Sequence, residues 1–348
     1  MPDLSNLTDL QEYLRCTPFA SSKISPLSGG SGNFACRLQL LVPYKGHSTL
    51  VLKHGKPYKY EVEALKIIGA SVPADSFITT PNVHLYDEKE AVIVMDDCGQ
   101  HSITLKQFFL DGRCSLELAE KIGSELGEFL HRVHAINRKS NPTTCDLFAH
   151  NAEAKRISAF VTYGRLVSTL TGQDKLPALE NPPLKIEDGD LQVIREASEK
   201  TMTLVMEARD AFVMGDFWPG NVLLSLDSPQ GSVKGISIVD WELAKTGLPG
   251  LDLGQFTAEM DLLCKFSPSQ AAASTRLLSA FHRTYSAEVE AARIALRHWG
   301  AHLIAWTPRV AWGGQDDTRD MVCRGVKLVV ASAEVEDETV YGMLRQSK

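Results

Sequence analysis

AFVMGDFWPGNVLLS, residues 211–225, sets an acid (Asp216), a Trp-Pro-Gly turn and an amide (Asn221) directly ahead of an apolar, strand-like run. A loop that only connects two elements has no need of that order. Transfer of a phosphoryl group to a hydroxyl does: it wants a carboxylate beside the attacking oxygen and metal ligands near the leaving phosphates. The spacing Asp-x4-Asn supplies one of each. Asp216 and Asn221 have that spacing, and NVLLSL (221–226) reads as the strand that fixes the asparagine. Downstream, GISIVDWEL (235–243) is a second strand candidate tipped by Asp240, where a further Mg²⁺ ligand belongs, with Glu242 two residues on. Asp and Asn are common in turns, so the spacing alone carries little. Two strands tipped in this order carry more, and the competing reading is a hairpin with two turn-capping acids.

Working outward, LSGGSGNF (27–34) reads as a glycine-rich turn between strands. Gly29, Gly30 and Gly32, with Ser31 and Asn33 between and after them, let backbone N–H groups approach phosphates; an ordinary hairpin reads the same way. STLVLKHG (48–55) is an apolar run ending in Lys53. A lysine there reaches nucleotide phosphates if an acid holds it, and the next segment offers Glu61 and Glu63. That segment, YKYEVEALKIIG (58–69), has the helical spacing Val62, Leu65, Ile68 and an expected end at Gly69. NVHLYDEKEAVIVMDDCG (82–99) predicts two strands around a turn, then a polar corner. There Asp96, Asp97 and Cys98 suit a connector whose backbone pairs with adenine; a polar turn between lobes fits equally.

Past that corner the pattern changes. SLELAEKIGSELGEFLHRVHAI (115–136) puts Ala119, Ile122, Leu126, Phe129 and Val133 on one helical stripe, and helices dominate the rest of the chain. The reading is α+β: an N-terminal antiparallel-sheet lobe over residues 1–98 and a mainly helical lobe over 99–348. The chain has 348 residues, 44% hydrophobic and 23% charged, which suits about two domains. With a formal net charge of −7 and no basic run, nucleic-acid binding is not expected. Seven scattered cysteines without CxxC spacing argue against a disulfide framework and against a zinc site. A reducing, cytoplasmic setting is expected, with no signal peptide and no apolar stretch long enough for a membrane span. Oligomeric state is not readable.

Gly-rich turn, strand lysine, helix glutamate, GDFWPGNVLL and IVDWE, in this order, resemble the aminoglycoside phosphotransferase and choline kinase superfamily. The superfamily has the two-lobed protein-kinase-like fold and phosphorylates small molecules. Gly215 before the acid and Trp241-Glu242 after Asp240 stand where protein kinases carry Arg and Phe-Gly. The Asp-x-Glu pair is similar to that of the methylthioribose kinases. PLSGG, PYKGHSTLVLKHGKP, DWELAKTGLPGLDLGQF and AHLIAWTPRVAWG are similar to the fungal 4-hydroxytryptamine kinases.

The resemblance implies an ATP- and Mg²⁺-dependent kinase acting on a small-molecule hydroxyl, with Asp216 as base and Asn221, Asp240 and Glu242 on the metal. Lys53 would then sit on the phosphates with Glu61 as its partner, and Trp218, Trp306, Arg309 and Trp312 would lie near the acceptor. His131 and His134 are expected to be structural or solvent-facing, and Asp252 to cap a helix or hold the metal loop. A nucleotide-binding protein without turnover is the alternative, and the intact set at Lys53, Asp216 and Asp240 speaks against it.

Overall fold

The computed structural model describes residues 4–27, 34–55, 58–73 and 75–345. The chain divides into two compact units, Met1–Ile103 with Leu223–Glu242, and Thr104–Val222 with Leu243–Lys348. The polar corner at 96–99 and the strand pair after Asn221 thus both belong to the first unit.

The first unit begins with helix α1 (Leu7–Arg15), capped by Asn6, whose side chain accepts from the Thr8 N–H at 2.8 Å. A five-stranded antiparallel sheet comes next, built from β1 (Ser21–Pro26), β2 (Phe34–Tyr44), β3 (His47–His54), β5 (Val83–Asp87) and β6 (Val92–Asp96) in the order β1-β2-β3-β6-β5. Its core is aliphatic: Leu38, Leu50, Leu52, Val92 and Val94 are fully buried, with Leu10 and Leu14 of α1 packed in. Complete burial of such a side chain is worth roughly 1.5–3 kcal/mol.

Helix α2 (Lys59–Ser71) is inserted after β3. It does not stop at Gly69, as its sequence suggests, but continues to Ser71. A glycine inside a helix costs only about 1 kcal/mol, and burial of Val62, Leu65 and Ile68 outweighs that. The short strand β4 (Ile78–Thr79) pairs in parallel with β9 (Val233–Ile238), which is joined to β8 (Val222–Leu226). This pairing draws residues 223–242 into the first unit.

The second unit is helical. Helix α3 (Leu116–Ala135) buries the expected stripe of Ala119, Ile122, Leu126, Phe129 and Val133. It packs along α6 (Ala271–Tyr285). Helix α5 (Pro249–Phe266) packs on α7 (Val289–Trp306), and α7 on α8 (Gln315–Glu334). Helix α4 (Ala152–Phe160) lies between these elements in sequence and supplies one wall of the pocket at Asp216. A two-stranded ribbon, β7 (Ala211–Val213) with β10 (Lys245–Gly247), carries the chain into the Asp216 loop.

Candidate active site

The loop at Asp216 is anchored from below. After β7 the chain turns at Gly215, whose φ of +83° suits glycine. A Cβ there would fall 2.0 Å from Lys245 Nζ and 2.5 Å from the Leu243 carbonyl, so no side chain fits. The N–H groups of Met214 and Gly215 donate to Asp252, at 2.9 and 2.8 Å. Asp252 in turn hydrogen-bonds His134 Nε2 at 3.1 Å, and His134 Nδ1 bonds the Tyr285 hydroxyl at 2.8 Å. Burial alone would raise the Asp252 pKa, but the His134 bond and charge, Lys245 and the Gly215 N–H hold it below the usual carboxylate range. His134 and Asp252 are therefore scaffold for the loop.

Both oxygens of the Asp216 carboxylate are held by amides. Asn221 Nδ2 donates to Oδ2 at 3.0 Å and to the Asp216 carbonyl at 3.0 Å; Gln255 Nε2 donates to Oδ1 at 2.6 Å. Because the Asn221 nitrogen is turned to Asp216, its amide oxygen is directed away from it. Gln255 lies three positions beyond Asp252 on α5, which puts the two on one helical face.

Asp216 opens on a pocket with a cavity volume of about 80 Å³, shared with Lys245, Gln255, His298, His302 and Trp306. The Lys245 ammonium donates to the Leu243 carbonyl at 3.0 Å. Burial pushes its pKa down to about 8, against the attraction of Asp252 and Asp216. His298 bonds the Tyr163 hydroxyl at 2.9 Å; burial, with the neighbouring His302, pushes its pKa down to about 3, so the ring is neutral. The Trp306 indole N–H donates to Thr162 Oγ1 at 3.1 Å, which fixes the ring against the wall.

Of the other residues expected near the acceptor, none is among those lining this pocket. Trp218 and Trp312 instead flank a lysine: Lys106 Nζ lies 5.1 Å from the Trp218 ring and 3.9 Å from the Trp312 ring. Trp312 also stacks on Phe266 at 5.7 Å. Lys106 pairs with buried Glu259 at 3.1 Å, and Glu259 bonds His302 Nε2 at 2.9 Å. Burial pushes the Glu259 pKa up, but His302 and Lys106 outweigh it, so the carboxyl is held below its ordinary value. Arg309 is engaged by Asp174, by Thr169 Oγ1 at 3.0 Å and by the Ala305 carbonyl.

In the first unit, Lys53 donates to Glu61 Oε1 at 2.5 Å and to Asp240 Oδ1 at 2.8 Å. Burial works against the lysine's charge, but Glu61 and Asp240 outweigh it and the pKa is raised. Glu61 is the buried acid of α2, whereas Glu63 pairs with Lys66 on the outside. Asp240 has φ +68°, an uncommon conformation for a side-chain-bearing residue. It lies just past β9, beside the buried Trp241, whose indole donates to the Ile238 carbonyl at 3.1 Å.

At the corner, Asp97 makes a bidentate pair with Arg37 at 2.6 and 2.9 Å, and the Cys98 carbonyl accepts from Ser225 Oγ at 3.0 Å. The Asp96 carboxylate accepts from Asn82 and meets His84. Gly29, Gly30, Ser31, Gly32 and Asn33 lie outside the described residues.

The second unit holds a carboxylate pinned at a pocket and the first an ion-paired strand lysine, residue types that phosphoryl transfer uses. The sequence pattern of the phosphotransferase enzyme family matches residues 56–293. The chain belongs to the phosphotransferase enzyme family.

It is 29% identical to the 4-hydroxytryptamine kinase of Psilocybe cyanescens over 93% of this chain and 92% of that one. It is 27% identical to the enzyme of the same name from Psilocybe cubensis, over 88% and 86%. Among solved structures it is similar to the gentamicin complex of an aminoglycoside phosphotransferase, with a TM-score of 0.51 at 16% identity over 98% of this chain and 99% of that one. The phosphotransferase is thus a small-molecule kinase with the fold of the aminoglycoside phosphotransferases. No helix among its described residues is long and apolar enough to cross a membrane.

Sequence reasoning missed Gln255, Lys245, His298, His302, Lys106 and Glu259. For Gln255 a signal existed, its three-residue offset from Asp252 in GLDLGQF. The others are brought in by packing, and no local spacing marks them.

Proposed function

We propose that this kinase transfers the γ-phosphoryl group of ATP to the hydroxyl of a small aromatic compound carrying an amine. One observation carries the acceptor class: among the residues lining the pocket, Asp216 is the one carboxylate, and Trp306 and neutral His298 share the wall. A polycationic aminoglycoside calls for several carboxylates. An indole face favours a flat ring and a single ammonium, through contacts worth about 0.5–2 kcal/mol each. The name of the fungal relatives points the same way, since hydroxytryptamine is a planar hydroxyindole with one amine.

In this reading Asp216, held in one orientation by Asn221 and Gln255, accepts the hydroxyl proton and aims the oxygen at the phosphorus. Most of the acceleration comes from that positioning. Lys53, kept charged by Glu61, holds the nucleotide phosphates. The backbone at Asp96, Asp97 and Cys98 meets the adenine.

Asn221, Asp240 and Glu242 would hold Mg²⁺: amide and carboxylate oxygens are the hard donors it takes, and the Asn221 oxygen is the atom turned away from the base. When bound, Mg²⁺ neutralises phosphate charge. Trp218, Trp312 and Arg309 act in this reading by shaping the pocket's surroundings. The seven cysteines are all unpaired, which fits a cytoplasmic setting.

The test is ATP consumption by the purified protein across hydroxyindole ethylamines, phenolic phenethylamines, choline-type amino alcohols and kanamycin-type aminoglycosides. The expected kcat/KM is at least about tenfold higher for the aromatic amines, the scale of one good apolar contact. Preference for the aminoglycosides would overturn the acceptor class while leaving the transfer chemistry intact.

A further inference from the structure

At one end of the five-stranded sheet, three neighbouring strands bring metal-type donors to one place. The β2–β3 hairpin closes through a two-residue turn, Lys45 and Gly46, both at positive φ, and Tyr44 faces His47 across it. Strand β3 pairs with β6 only from Leu50, which lies opposite Asp96. His47 therefore overhangs the end of β6, where Asp96 is the last strand residue. On the other side of β6, the register of β5 shifts between Val83 and Leu85, so His84 is the extra residue of a bulge. Bulges re-aim a side chain, and here the re-aimed ring points at Asp96.

The geometry is convergent. His84 Nε2 lies 2.6 Å from Asp96 Oδ1, and His47 Nε2 lies 3.6 Å from the same oxygen. The three donor atoms sit within 4.8 Å of one another. The carboxylate is oriented from behind: its Oδ2 accepts from the Asn82 N–H at 3.0 Å and from Asn82 Nδ2 at 2.7 Å. The His84 ring is held edge-on by Tyr44, centroids 5.4 Å apart, and Tyr44 by Phe19 at 5.0 Å. Such outer contacts fix ligand orientation in metal sites. A buried His84 and a half-exposed His47 leave one side open to solvent.

We propose that His47, His84 and Asp96 bind one divalent transition-metal ion of the zinc class. Two imidazole nitrogens and one carboxylate oxygen are borderline donors that favour Zn²⁺, Co²⁺ or Ni²⁺ over Mg²⁺, with water completing the shell. Scattered cysteines spoke against a zinc site; this one uses none of them. The Asp96 side chain serves the cluster, whereas the adenine role assigned to this corner concerns backbone.

The experiment is titration of metal-free, tag-free protein with Zn²⁺ by calorimetry, and with Co²⁺ monitored by visible absorption. One saturable equivalent is expected, with a Co²⁺ spectrum of nitrogen and oxygen ligands and no thiolate charge-transfer band. His47→Gln, at the exposed hairpin end, and His84→Gln should each weaken binding by about tenfold or more, with circular dichroism reporting that each variant is folded. Absence of saturable binding overturns the site. So does unchanged binding in folded His47→Gln, or a thiolate band, either of which assigns the metal elsewhere. If His84→Gln unfolds, His47→Gln alone decides.

Discussion

The two sets of residues proposed for phosphoryl transfer are built differently. In the second unit Asp216 is held by neutral groups: two side-chain amides on its oxygens, two backbone N–H groups on the Asp252 beneath. In the first unit Lys53 is held by two charged partners, Glu61 and Asp240, through charge-assisted hydrogen bonds. Amide bonds fix direction without needing to be exchanged, which is what a proton acceptor of fixed aim requires. An ion pair is different. The Asp240 oxygen that receives Lys53 belongs to a proposed metal ligand, and phosphates are proposed for the lysine, so its partners are expected to change when nucleotide arrives. On the proposed roles, one set is a fixed jig and the other a socket expected to rearrange.

The strongest test of that contrast sets two variants side by side. Asp216→Asn should lower turnover by about a hundredfold or more, the scale for losing a positioned base, with nucleotide affinity unchanged. Asp240→Ala should weaken MgATP binding by about tenfold or more, and Glu242→Gln should do so less. Steady-state kinetics and calorimetry on the same preparations separate the two effects. Loss of nucleotide binding in Asp216→Asn, or normal binding in Asp240→Ala, breaks the division of labour.

A smaller effect is expected at Gln255. Gln255→Leu removes one of the two amides on Asp216 and should reduce kcat about tenfold, one hydrogen bond to a charged group, with the KM for ATP unmoved. A matching rise in that KM would show that the amide serves binding rather than aim.

The smallest effect is on stability, at Lys245. Below pH 8 its ammonium is charged both folded and unfolded, and the cost of burying it is present in full. Between pH 8 and the ordinary lysine value near 10.4 the folded chain gives up the proton first. The unfolded chain then binds more protons, and stability rises with pH. Lys245→Met should therefore stabilise the protein at pH 7 by on the order of 1 kcal/mol, after allowing for the lost bond to Leu243. Denaturant melts should show the gain shrinking toward pH 10. A gain that does not depend on pH would mean the lysine is not the titrating group.

Much of the fold and site is legible in the sequence. Asp216, Asn221, Lys53 and Asp240 stand in short motifs whose meaning is in their spacing, and the strand and helix periods around them are clear. The choice of Glu61 over Glu63 rested on resemblance, and burial now gives the physical reason: one acid faces the core and the other Lys66. The return of residues 223–242 to the sheet-bearing unit was hidden, because β9 is claimed by β4 about 150 residues earlier. Trp306, Trp312 and Trp218 look alike in sequence, yet only tertiary packing decides that one meets the Asp216 pocket and the others close on Lys106. Lys245, His298 and His302 reach the Asp216 pocket by packing alone and are invisible for the same reason, whereas Gln255 was marked by its offset from Asp252.

Helix α5 carries Asp252, Gln255 and Glu259 along one side, so the loop anchor, the aim of Asp216 and the Lys106–His302 contacts ride on a single rod. The same helix meets α7 at Gly254 closely enough that a Cβ there would sit 2.6 Å from the Ala295 carbonyl. The spacing of these two helices is thus a calibration screw. A single methyl at Gly254 is expected to displace three side chains in concert, and a search for activity variants confined to the pocket lining would pass over it.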